Sequence, residues 1–353
     1  MRLLMSAESP RLEITASRLF TSWLAEQRCS LAFTTYQAGK LFFLGLDEQG
    51  KLAVFNRTLA RVMGLAAHGD TLWVATLWQL WRFENALAAG ERQGAFDRWY
   101  VPQLAYTTGD IDVHDVAVDA DGEPVFVSTL FSCIARPDPR YSFVPLWKPP
   151  FVSRYAAEDR CHLNGLAMRE GRPAYATCVG RSDANEGWRE HRAQGGLLLD
   201  INANAVVCAG LSMPHSPRWY RNRLWLLNAG TGEFGWVDLA AGRFEPVAFC
   251  PGFLRGLAFI GDYAVVGLSV QRENRTFRDL ALDQRLLDKG VAARCALQVI
   301  DLKRGDVAHE VRIEGVVSEL FDVAVLAGAR NPGAVGLQSD EIRRMIVLPP
   351  GLA

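Results

Sequence analysis

The chain has 353 residues, of which 49% are hydrophobic and 22% charged, the composition of an ordinary globular protein. Its 38 basic and 39 acidic residues leave a net charge of −1. So even a balance excludes the basic field that would gather nucleic acid or an anionic membrane surface.

The first ten residues, Met1-Arg-Leu-Leu-Met-Ser-Ala-Glu-Ser-Pro10, hold too short an apolar run for a signal peptide. No apolar stretch reaches the roughly 20 residues of a membrane-spanning helix. Seven cysteines, at 29, 133, 161, 178, 208, 250 and 295, are dispersed without a Cys-x-x-Cys pair. That is the pattern of reduced, buried thiols, and the expected location is cytoplasmic.

Over residues 11–27 the spacing of Ile14, Leu19, Phe20, Trp23 and Leu24 predicts one amphipathic helix. Residues 1–28 therefore read as a helical segment packed on a main domain, 29–353. That domain opens with three apolar β-rich runs, at 31–36, 40–45 and 52–55, which read as one blade.

A repeat follows. Val62-Met-Gly-Leu-Ala-Ala-His68, Val113-His-Asp-Val-Ala-Val118, Leu163-Asn-Gly-Leu-Ala-Met168, Pro214-His-Ser-Pro-Arg-Trp219, Leu254-Arg-Gly-Leu-Ala-Phe259 and Leu320-Phe-Asp-Val-Ala-Val325 align in one register. The first five are each followed by a polar turn and a second apolar run, the pattern of a hairpin. The residues before the shared Gly, Asp or Ser are 63, 114, 164, 215, 255 and 321, at intervals of 51, 50, 51, 40 and 66. Such spacing predicts an all-β protein, a single β-propeller. Seven blades are favoured, with the last outer strand drawn from Met345-Ile-Val-Leu348; six result if the two terminal pieces share a blade. Trp73 and Trp225 fall inside second runs and are expected in the core.

In a propeller the first strand of each blade lines the central channel, so equivalent positions form a ring. Here the ring is Met63, His114, Asn164, His215, Arg255 and Phe321, with His162, Asp112 and Glu319 one layer away. Neutral imidazoles of His114, His162 and His215 are the expected ligands of a divalent transition metal, Zn²⁺, Fe²⁺, Cu²⁺ or Mn²⁺. Arg255 and Asn164 are the expected catalytic residues, orienting substrate and stabilising negative charge. The alternative is that the ring histidines only tie strands together.

Two polar loops are expected on the channel rim. One carries Arg181, Asp183, Trp188 and Arg189; the other carries Gln271, Arg272 and Asn274. With Asn228 of a third, glycine-rich loop, these are the expected substrate-binding residues. No Gly-x-Ser-x-Gly elbow, His-Glu-x-x-His or phosphate-loop motif occurs.

The motifs His114-Asp-Val-Ala-Val-Asp119, His162-Leu-Asn-Gly-Leu-Ala167, Pro214-His-Ser-Pro-Arg218 and Leu254-Arg-Gly-Leu-Ala258, with Gly180-Arg-Ser-Asp183 and Trp188-Arg, resemble a bacterial family of conserved hypothetical proteins over nearly the whole chain. More distantly the chain resembles gluconolactonase-like hydrolases and streptogramin lyases. The resemblance implies a propeller with a channel site. The expectation is a metal-dependent enzyme acting on a small polar or peptide-like substrate; the alternative is a non-catalytic propeller that binds a ligand or a protein.

Overall fold

The computed structural model describes residues 11–270 and 279–349. Within them the strands form six sheets arranged as the blades of a propeller. The count is six, not the favoured seven, because the two ends of the chain share blade 1. Its innermost strand is Val323–Ala327, antiparallel to Cys29–Thr35, followed outward by Lys40–Leu46 and Leu52–Thr58. Closure therefore comes from an inner strand. Residues 345–348 form no strand, and Pro332–Ala334 instead pairs in parallel with Arg98–Thr107 on the rim of blade 2.

The remaining inner strands are Leu65–His68 (blade 2), Val113–Val118 (blade 3), Leu163–Arg169 (blade 4), Pro214–Tyr220 (blade 5) and Phe253–Ile260 (blade 6). Each turns back through a tight hairpin into the second strand. Positive φ at the central pairs Glu170–Gly171 (54° and 71°) and Arg221–Asn222 (50° and 58°) matches the twist of the flanking strands. The amino-terminal segment is not one helix. Glu13–Ala16 is a fifth strand on the outer edge of blade 6, paired with Val307–Glu314, and only Phe20–Gln27 is helical. Thr15 and Ala16 sit opposite Arg312 and Val311, so the edge of blade 6 takes up residues whose spacing also suits a helix.

The core lies between blades. Trp73 packs with Met63, Phe126 and Phe321, and Trp225 stacks on Phe234 with centroids 5.2 Å apart. All seven cysteines are free and buried. Among the described residues no helix is long and apolar enough to cross a membrane.

Just inside the ring read from the sequence, the blades alternate in chemistry. Blades 1, 3 and 5 present Asp322, Asp115 and Ser216, whereas blades 2, 4 and 6 present Gly64, Gly165 and Gly256. Each acceptor reaches a backbone N–H of the next blade. Leu65 N–H donates to Asp322 Oδ2 (2.9 Å), Leu166 N–H to Asp115 Oδ2 (2.9 Å) and Gly256 N–H to Ser216 Oγ (3.1 Å). The glycines let each pair of blades close on the next. A Cβ on Gly256 would lie 2.8 Å from Asp322 backbone, and one on Gly64 2.9 Å from Val116 Cγ2. The six blades are thus three stitched pairs. Arg218 of blade 5 closes the arrangement, donating to both Asp115 oxygens (2.7 and 3.0 Å) and lying 3.7 Å from Asp322 Oδ1. This Asp–Arg–Asp cluster, its two carboxylates buried, joins the inner strands of blades 1, 3 and 5.

Candidate functional site

The chain enters four consecutive inner strands through the same unusual backbone. Arg61, Asp112, His162 and Met213, each two residues before a ring position, have φ of 44°, 55°, 51° and 44°. None is glycine, although the left-handed region costs an L-residue about 1–3 kcal/mol. All four line one opening of about 380 Å³ at the mouth where the inner strands begin. Four equivalent positions held at positive φ each supply a side chain to one cavity, which makes that mouth the candidate site.

Five of the expected site residues meet there: His114, His162, Arg255, Trp188 and Arg189. The imidazoles of His114 and His162 meet edge to face, centroids 4.9 Å apart at 79°. His162 Nδ1 lies 2.8 Å from Asp159 Oδ2, and Trp188 Nε1 donates to the same oxygen at 2.8 Å. The indole also covers the His162 ring, with centroids 4.2 Å apart. Asp159 Oδ1 is buried and accepts no hydrogen bond from the described residues. Burial works against ionising Asp159, but the charge and hydrogen bond of His162, with His114 and the indole N–H, outweigh it and hold the carboxyl below its ordinary pKa.

Hydrogen bonds assign the tautomers. Thr129 Oγ1 donates to the Leu163 carbonyl, so at 2.8 Å it accepts from His114 Nδ1–H. Burial, despite the nearby Asp112, lowers the His114 pKa to about 4 and keeps the ring neutral. His162 directs its Nδ1–H at Asp159. In the neutral form His114 and His162 therefore each keep a bare Nε2.

His215 does not. Its Nδ1–H donates to the Met213 carbonyl (2.9 Å), and Asn164 Nδ2 lies 3.4 Å from Nε2, which takes up the remaining lone pair. Burial first, then the charge of Arg255, holds its pKa well below the ordinary value. His215 is a structural residue beneath the pocket. Asn164, expected to be catalytic, is likewise buried, its Oδ1 accepting from Thr177 Oγ1 at 2.8 Å. The residues present therefore do not fit the three-histidine set expected for Zn²⁺, Fe²⁺, Cu²⁺ or Mn²⁺: two bare imidazole nitrogens face the cavity, and the third is spent. Among the described residues no group of three or more His, Cys, Asp or Glu side chains is disposed to hold a metal ion.

The rim loops divide as well. Arg181 lies over the Phe151 ring (5.8 Å), and Asp183 accepts from Ser153 N–H (2.9 Å) and pairs with Arg160, latching its own loop. Asn228 Oδ1 accepts from Ser212 N–H at 2.7 Å. None of these three lines the cavity. Gln271, Arg272 and Asn274 lie outside the described residues.

Sequence reasoning missed Asp159, Tyr36, Arg61, Asp110 and Glu186, all on the cavity wall. The spacing Asp159-x-x-His162 was the available signal for the first. Arg61 pairs with Asp110 and Arg189 with Glu186 (2.7 Å), and the Arg255 guanidinium lies over the Phe253 and Phe321 rings at 5.5 and 4.9 Å.

Comparisons with solved structures agree with the fold. A chain of the nidogen/laminin complex superposes with a TM-score of 0.53 at 12% identity, covering 85% of this chain and 99% of that one. A protein of unknown function from Bacteroides caccae gives 0.48 at 10% identity, over 84% and 98%. Virginiamycin B lyase from Staphylococcus aureus gives 0.39 at 9% identity, over 87% and 100%. At 12% identity the likeness to the nidogen/laminin chain is one of fold. No curated protein matches the chain in sequence. The model of the family described as a domain of unknown function, DUF4915, matches residues 18–335, so the chain belongs to that family.

Proposed function

We propose that this protein is an enzyme that performs acid–base chemistry on a small polar or peptide-like substrate at the mouth of the propeller channel. The observation that carries the reading is the Asp159–His162–Trp188 unit: a carboxylate oxygen accepts from an imidazole Nδ1–H and an indole N–H at 2.8 Å each, and the opposite imidazole nitrogen is left bare at a cavity. An imidazole oriented this way takes a proton on Nε2 while the carboxylate balances the charge that develops. Arg255, on the same wall, is placed to stabilise negative charge forming on the substrate. Proton abstraction by His162 is the first step of either elimination or water-driven hydrolysis.

The test is consumption of small molecules. Protein incubated with a metabolite extract is followed by mass spectrometry beside a His162→Gln variant. A compound consumed by the wild type and spared about 10²–10⁴-fold by the variant supports the reading. Consumption that is absent, or equal in the two proteins, contradicts it.

A further inference from the structure

Three of the carboxylates around the cavity are matched within the protein and one is not. Asp110 pairs with Arg61, Glu186 with Arg189, and Asp159 accepts from His162 and Trp188. Asp112 has only His114 beside it, Oδ2 to Nδ1 at 3.5 Å, and that imidazole is neutral at physiological pH because burial lowers its pKa to about 4. No arginine or lysine among the described residues lies within ion-pair distance of Asp112. Its side chain is nonetheless 31% exposed, and it lines the cavity.

The backbone points the same way. Asp112 is one of the four residues held at positive φ on this mouth, and its carbonyl is occupied in accepting from Thr129 N–H (3.1 Å). The strained turn fixes the carboxylate next to the His114–His162 pair.

We infer that Asp112 determines specificity and that the substrate carries an ammonium or other cationic nitrogen, held by the Asp112 carboxylate beside the atom that His162 works on. The inference rests on the cavity being the substrate site proposed above. It commits to a class, primary or secondary amines and free-amino peptides, and disfavours uncharged isosteres of the same shape.

The experiment uses the full chain with isotope-labelled histidine and two probes, benzylammonium and benzyl alcohol. Benzylammonium is expected to move the His114 and His162 ring resonances with a Kd roughly tenfold below that of the alcohol, and Asp112→Asn to reduce that ratio to about twofold or less. Asp112→Glu, which keeps the charge, is expected to retain the preference; where Asp112→Asn does not fold, Asp112→Ser takes its place. Equal binding of the two probes, a preference that survives neutralisation of Asp112, or resonances unmoved by benzylammonium would overturn the inference. The two readings separate in His162→Gln. Ammonium preference there without turnover supports both, and preference in a wild-type protein that consumes nothing upholds this one while contradicting the enzyme.

Discussion

The indole of Trp188 lies against the imidazole of His162, and both rings donate to one oxygen of Asp159. The stack fixes the plane of the histidine, and the shared acceptor fixes its tautomer. The Trp188 loop, long and polar, thus exists in part to bring one buried ring to the channel mouth.

Trp188→Phe keeps the stack and deletes the N–H. It leaves Asp159 with one donor fewer in a buried setting, an expected cost of about 1–3 kcal/mol in urea denaturation. Equal stability of the two proteins would show that the indole N–H does not support the carboxylate.

The strained turns make a differential prediction at Arg61, where φ is 44°. Arg61→Gly and Arg61→Ala both lose the ion pair with Asp110, but only glycine relieves the left-handed backbone. The glycine variant is expected to be the more stable by about 0.5–1 kcal/mol, the relief net of glycine's greater unfolded entropy. A more stable alanine variant would remove strain from the account.

Arg218→Met tests the Asp–Arg–Asp cluster. It strands Asp115 and Asp322, both buried, without their cation, at an expected cost of about 3–5 kcal/mol near neutral pH. With the guanidinium gone the Asp322 carboxyl, already raised by burial, is pushed up further, so the folded state holds an extra proton and the deficit shrinks as pH falls. Denaturation of the variant at pH 8 and pH 5.5 checks the sign.

Two kinds of buried group shape the wild-type pH profile in opposite senses. His114 is held near pKa 4 while an unfolded histidine titrates near 6.5. The unfolded chain then binds more protons between those values, so His114 removes about 3 kcal/mol of stability as pH drops from 6.5 toward 4. His215 acts in the same direction. For Asp322, burial raises the pKa to about 7 against the pull of Arg218, so its contribution is lost as pH rises from the ordinary carboxyl range to 7. His114→Asn should flatten the acid limb of the profile, and Asp322→Asn the limb approaching neutrality. An unchanged acid limb in His114→Asn would mean that the ring is not kept neutral.

The repeat was legible because each inner strand carries the same short motif, whose acceptor or glycine stitches neighbouring blades. Blade number was not, since Cys29–Thr35 and Val323–Ala327 belong to one sheet yet lie nearly 300 residues apart and read as separate units. Strand register placed His114, His162 and Arg255 at one cavity from sequence alone. It could not separate His215 from them, because what disqualifies that imidazole is the Asn164 amide of the neighbouring blade. Asp159 escaped notice for a related reason: a left-handed residue at φ 42° breaks the alternation from which facing side chains are read.

Nitrogen-15 spectroscopy of the histidine rings bears most directly on the acid–base unit. For neutral His162 the account expects a protonated Nδ1 and a bare Nε2, with that preference weakened in Asp159→Asn. A neutral His162 carrying its proton on Nε2, or a tautomer indifferent to residue 159, would contradict it.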